Sequence, residues 1–144
     1  MVEEERDTDE NISGEGNIED ESIENERKFL KARLRINREF IDIVDIERKT
    51  GFGKGKGLMF SDAEDANAML FEFNSDTRRS ITSLFCPPFL AIWLNENNKI
   101  LEYKVVSPGK LMIKPRKYFR RLIEIPLNNK YSPVVEFILD KGKV

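Results

Sequence analysis

At 144 residues the chain has room for one domain, and with no histidine and a single cysteine it excludes whole classes of chemistry at the outset. Serine–histidine and cysteine–histidine nucleophiles, Cys/His zinc sites and the two-histidine iron triad all lack their residues, and no disulfide can form within the chain. The net charge of −2 averages two unlike parts: residues 1–26 carry twelve acidic side chains against Arg6 alone, a net −11, while residues 27–144 carry 23 Lys and Arg against 14 Asp and Glu, a net +9.

The first 26 residues hold few large apolar side chains (Val2, Ile12, Ile18 and Ile23), too scattered to form a face, and no aromatic before Phe29. Such a segment buries too little surface to offset its ordering entropy, so it reads as a disordered acidic tail. Its role is either solubility or electrostatic competition for the basic remainder, a tethered polyanion against an external one. No basic-then-apolar leader opens the chain, and no run approaches the ~18 apolar residues of a membrane span. The expectation is a cytoplasmic domain over residues 27–144, with no membrane partner.

Phe29–Ile36 (FLKARLRI) alternates apolar and basic residues strictly, the signature of a half-buried strand. A turn at Asn37–Glu39 leads to a second short strand over Ile41–Ile46, with one helical turn as an option at its end around Asp45–Lys49. Gly51–Gly57 places glycine at every second position, but Lys54 and Lys56 are each followed by glycine rather than Ser or Thr. It fits no P-loop or dinucleotide fingerprint and reads as a flexible loop or a close backbone approach. Ser61-Asp-Ala-Glu64 has capping-box spacing and predicts a short helix through Ala66. Strands are expected at Ala68–Phe73 (AMLFEF) and Ile81–Phe85, with Pro87-Pro88 marking an edge, bulge or break.

Phe89–Leu94 (FLAIWL) is the most apolar run and predicts a central strand. Asn95–Asn98 is a hairpin turn, Lys99–Val106 a strand, and Ser107-Pro-Gly109 a turn. Leu122–Ile125 is a further strand ended by Pro126, and Ser132-Pro133 opens a short C-terminal helix. The sum is an α+β, mainly β domain, a compact antiparallel barrel- or sandwich-like fold with one or two short helices.

Taken together, GLMF at 57–60, AMLFEF at 68–73, RSITSLF at 79–85, FLAIWLN at 89–95, the turn at Asn97–Ile100 and LIEIP at 122–126 resemble the prokaryotic domain-of-unknown-function family 192. The resemblance spans about residues 30–144. It implies a compact, mostly antiparallel β domain and no established activity. The chain departs from that pattern at Ser61, where arginine usually follows GLMF. It departs again at Pro88–Ala91, where Pro-Leu-Asp has lost its aspartate, and at Ile81 and Thr82, where histidine or tryptophan is common.

Lys110, Lys114, Arg116, Lys117, Arg120 and Arg121, with Tyr118 and Phe119 among them, form the densest cationic stretch. Lys and Arg neutralise phosphates and aromatic faces stack on unpaired bases, so these residues are the candidate polyanion site, suited to nucleic acid or an acidic protein. Lys54, Lys56, Arg78 and Arg79 would extend it if the loops meet. The competing expectation is a solvated loop with Tyr118 and Phe119 partly in the core. Cys86 reads as a small buried hydrophobe rather than a nucleophile, and Trp93, Phe89 and Phe71 as core. Asp62, Glu64 and Asp65 suit a hard cation or, equally, the start of a helix. Glu72 and Glu124 read as outward, solvent-facing positions within apolar strands.

A non-catalytic binding or interaction domain with a basic surface is therefore the leading function. The alternatives are an RNA or polyanion module regulated by the tail, and a small carboxylate- or lysine-dependent enzyme. The enzyme requires at least two of Glu72, Asp76, Glu124 and Lys104 to converge in a pocket. No cofactor is expected.

Overall fold

The structure, a computed structural model, describes residues 16–20, 29–49 and 57–141. Among these residues seven strands follow in chain order: β1 (Gly16–Asp20), β2 (Phe29–Ile36), β3 (Glu39–Lys49), β4 (Met69–Thr77), β5 (Phe89–Leu94), β6 (Ile100–Val106) and β7 (Phe119–Pro126), and helix α1 (Ser132–Lys141) comes last. They form one sheet in the order β1-β2-β3-β4-β7-β5-β6, of which β2–β7 curl into a half-barrel with β1 added at the edge. The mainly β, α+β expectation holds. The sheet is nevertheless mixed rather than antiparallel, because β3 and β4 pair in parallel through Glu47–Met69, Arg48–Leu70 and Lys49–Phe71.

Alternation explains β2: Leu30, Ala32, Leu34 and Ile36 are fully buried, and Lys31, Arg33 and Arg35 lie on the opposite face. Asn37 and Arg38 both take positive φ (52° and 75°), the two-residue hairpin geometry that matches strand twist. The strand that follows is longer than the predicted 41–46, and Asp45–Lys49 continues it instead of forming a helical turn, because residues 47–49 pair with β4. The pairing slips by one residue between Leu30–Ile46 and Ala32–Ile43, a bulge on β3 that holds Asp45 at φ 55°. That bulge has a use. Tyr131, fully buried ahead of α1, donates its hydroxyl toward the Val44 and Asp45 carbonyls (2.8 and 3.1 Å) and accepts from the Ala68 amide (3.0 Å), fixing the helix to β3 and to the start of β4.

The pleat divides the apolar residues into two cores. Inside the curl, Leu30, Leu34, Ile36, Ile43, Leu70, Leu90, Ile92, Ile123 and Ile125 pack together, and α1 closes them with Val134, Val135 and Ile138. On the other face of β4, β7 and β5, a second cluster comprises Met69, Phe71, Phe89, Ala91, Trp93, Phe119 and Leu122, with Leu58, Cys86 and Ile113 from the connecting segments.

Three local expectations change. Residues 61–66 do not form a helix: Asp62 captures the Glu64 amide with its carboxylate (3.0 Å), and one turn closes through Ala66 N to Asp62 O (2.9 Å). A segment this short cannot repay helix nucleation. Residues 81–85 contribute only a bridge, Ile81 to Ile113, because Thr82 Oγ1 takes the Leu84 amide and Ser83 O takes the Cys86 amide, turning the chain before Pro87. Gly16–Asp20, inside the segment read as disordered, is strand β1 on the edge of β2, and Gly16 O accepts from Asn98 Nδ2 at 3.3 Å. The rest of the acidic tail, the Gly51–Lys56 loop with Lys54 and Lys56, and residues 142–144 lie outside the described residues.

Candidate functional site

Glu124 lies at the centre of three strands, opposite Met69 of β4 and Ala91 of β5. Leu122 and Glu124 share the outer face of β7 while Ile123 and Ile125 point into the curl, so Glu124 sits in the second core. The segment Gly57–Leu58 passes over it. Only 4% of Glu124 is exposed, and its carboxyl has no hydrogen bond or ion pair among the described residues. Burial pushes it up to about 8, so it keeps its proton at neutral pH. This corrects the expectation that Glu124 faces solvent. Its strand has neighbours on both sides and a cover of loop on its outer face.

The carboxyl opens into a cleft of about 310 Å³, at the low end of the size of small-molecule sites. Phe71 and Phe73 of β4 and Phe119 and Leu122 of β7 form its floor. Leu58, Ile81 and Leu111 form apolar walls, and Arg79, Ser80 and Thr82 bring polar groups to it. Gly57 is fitted to this place. It has φ +53°, and a Cβ there would stand 3.2 Å from Glu124 Oε1 and 3.4 Å from Phe71 Cζ, so any larger residue would crowd the carboxyl. Arg79 lies over the Phe73 ring, 5.6 Å from its centroid, and Phe73 meets Phe119 edge-on at 5.5 Å. Cys86 is buried beside this region, with its thiol pushed up to about 11 by burial and then by the charge of Glu124. A thiol so placed is a packing group, not a nucleophile.

The Lys110–Arg121 stretch does not form one cationic field. Arg120 sits between Asp76 (3.2 Å) and Glu96 (3.3 Å). Arg121 pairs with Glu72 (3.1 Å) and donates to Glu96 O (2.9 Å) and Asn98 Oδ1 (3.2 Å). Phe119 is core, while Tyr118 is 64% exposed with Arg78 over its ring at 5.8 Å. The Arg78 guanidinium is tied to Pro115 O (3.2 Å). Lys110 is exposed, its backbone bonded to Thr82 and Ser83; Lys117 is half-buried. Only Lys114 and Arg116 gather, with Lys104 and Tyr103 of β6, around a shallow depression of about 300 Å³ where Glu102 accepts from the Arg116 amide (2.9 Å).

The convergence expected for a carboxylate- or lysine-dependent enzyme, of at least two among Glu72, Asp76, Glu124 and Lys104, does not occur. Glu72 is held by Arg48 and Arg121 (both 3.1 Å), Asp76 by Arg120, and Lys104 stands exposed on β6. Asp62 caps its own turn, and among the described residues no group of three or more acids and cysteines is placed to hold a metal. Among the same residues no helix is long and apolar enough to cross a membrane.

No family profile matches the chain, and no curated protein matches it in sequence. Two solved structures share its fold. A protein of unknown function from Novosphingobium aromaticivorans superposes with a TM-score of 0.53 and 17% identity, covering 65% of this chain and 71% of its own. A Sinorhizobium meliloti protein described as a "putative transcription regulator" gives 0.56 and 16%, covering 67% and 78%. At these identities the likeness is one of fold alone.

Proposed function

We propose that this is a non-catalytic binding domain and that its site is the Glu124 cleft, which takes a small, mainly apolar molecule. The observation that carries the reading is a buried carboxyl, without a partner among the described residues, that opens into an aromatic-lined cleft. Left unpaired, such a group costs free energy, and a ligand that accepts its hydrogen bond recovers it. A single carboxyl without a partner acid or base suits recognition better than the two-group chemistry an enzyme of this composition needs. We also infer membership of domain-of-unknown-function family 192. The motifs behind that resemblance supply the cleft: Gly57 and Leu58 come from GLMF, Phe71 and Phe73 from AMLFEF, Arg79–Thr82 from RSITSLF, and Leu122 and Glu124 from LIEIP. A reducing compartment such as the cytoplasm suits the lone buried thiol.

The test is amide chemical-shift mapping with the fluorescent probe 1-anilinonaphthalene-8-sulfonate. Saturable one-to-one binding that shifts Gly57, Ile81, Thr82 and Glu124, and that Leu111→Asp at the exposed rim weakens, is the expected result. Binding to the folded protein that leaves those amides unmoved would remove the cleft from consideration.

A second reading, polyanion binding, has one observation in its favour, the Lys104, Lys114 and Arg116 depression. The description of the Sinorhizobium meliloti neighbour as a regulator agrees with it. Lys104→Gln with Lys114→Gln should then shorten retention on a heparin column, and deleting residues 1–15 should lengthen it.

A further inference from the structure

We propose that the cleft selects a monoanionic ligand with an apolar body, a compact aromatic or branched carboxylate, whose anionic end meets Arg79 and whose acceptor atom meets Glu124. The proposal rests on the cleft being the ligand site and specifies what enters it.

The first ground is Arg79. Arg33, Arg48, Arg120 and Arg121 each have a carboxylate within 3.2 Å. The Arg79 guanidinium has no carboxylate and no hydrogen bond among the described residues, although it lines the cleft and sits over Phe73. An arginine laid on an aromatic ring keeps its N–H edge available for a planar anion, which it binds through two parallel bonds. A cation here would oppose Arg79.

The second ground is the deep end. Glu124 is buried and protonated at neutral pH, so it offers an O–H donor rather than a negative charge. A ligand ammonium would have to strip that proton and place an ion pair in an apolar site, whereas a carbonyl, ether or hydroxyl oxygen accepts it directly. The floor of Phe71, Phe73, Phe119 and Leu122 rewards a flat apolar body, and among the described residues Arg79 is the one cation lining the cleft, which suits a monoanion better than a dianion. The cleft thus offers one cation and one neutral O–H donor over an apolar floor, which an amphipathic monoanion matches.

Isothermal titration with three matched probes tests this: 2-naphthoate, its neutral methyl ester and 2-naphthylmethylammonium. The naphthoate should bind at least about tenfold more tightly than the ester or the ammonium, the worth of one charge-assisted contact. Arg79→Gln, an exposed change that leaves the core intact, should bring naphthoate down to the level of the ester and leave the ester unchanged. Equal affinity for acid and ester in the wild type, preference for the ammonium, or an Arg79→Gln loss shared by all three would overturn the anion assignment while the cleft stands as a site. Failure of all three probes to bind the folded chain would take the binding-domain reading down with it.

Discussion

The two faces of β4, β7 and β5 are built from alternate residues of the same strands, yet they follow different rules. Toward the curl, Leu70, Leu90, Ile92, Ile123 and Ile125 are fully buried hydrocarbon, sealed by α1 and by Tyr131 with every one of its bonds made. On the outer face, one residue away along each strand, sit an acid and the Trp93 indole N–H, both without a hydrogen-bond partner among the described residues, and a cleft. The loops that cover this face hold Phe60 and Phe85 at φ 63° and 58°, a conformation that costs bulky residues about 1–3 kcal/mol each. Their rings stack at 5.2 Å and Phe60 N bonds Phe85 O at 2.8 Å, which keeps both in place. Uncompensated polar groups and strained backbone are where selection for something other than stability leaves its mark. The inner face holds the fold, and the outer face spends part of that stability.

Breaking the inner face should have the largest effect. Ile123 is fully buried between Leu70 and Ile92 in register, so Ile123→Ala should cost about 2–5 kcal/mol, read from the urea midpoint at an unchanged slope. A loss well under 1 kcal/mol would mean the curl is loosely packed and the contrast between faces is wrong. Tyr131→Phe comes next. It keeps the ring but orphans the Ala68 amide and the bulge carbonyls, for about 1–3 kcal/mol in the same assay.

The inner face was largely legible in the sequence, and the outer face was not. Alternation in FLKARLRI and the unbroken apolar run FLAIWL each report burial directly, and Ser132-Pro133 marks a helix start by local chemistry. Glu124 defeats the same logic. I-E-I within LIEIP is what a strand with one wet face looks like, and only the covering segments, distant in sequence, make that face dry. The available signal was four of the stretches behind the resemblance stated above, GLMF, AMLFEF, RSITSLF and LIEIP, which one sequence shows as words but not as a place. β1 has no amphipathic pattern of its own, since the open edge of β2 supplies its hydrogen bonds. The parallel β3–β4 pair depends on a crossover that no local pattern encodes.

The outer face should reveal itself through pH. Folded Glu124 titrates near 8 against an ordinary 4.5, so between those values the folded chain holds a proton that the unfolded chain has released. Stability from this group is therefore greatest below pH 4.5, falls by about 1.4 kcal/mol per pH unit as pH rises through the window, and levels off above 8. Cys86, the neighbour coupled to it, titrates above that range. The slope is best read as the difference in urea stability between wild type and Glu124→Gln from pH 5 to 8, which cancels groups common to both. Parallel curves for the two proteins would show that the carboxyl is solvated and the cleft ordinary.

The smallest effect belongs to the feature most conspicuous in the sequence. Arg120 looks like the heart of a basic patch, but its guanidinium lies between Asp76 and Glu96, which are 61% and 62% exposed. Exposed pairs of this kind contribute about 0–1 kcal/mol, because solvent screens them and both side chains lose freedom. Arg120→Gln should therefore change stability by less than about 1 kcal/mol. Its effect on heparin retention should also be slight, since the local charge it offers a polyanion is already met by two carboxylates. Lys104→Gln with Lys114→Gln, at the depression beside β6, should shift retention more. If Arg120→Gln instead produced the larger shift, the ion pairs would have to open for a polyanion. The cationic stretch would then act as one surface, and the division of labour between the faces would need to include it.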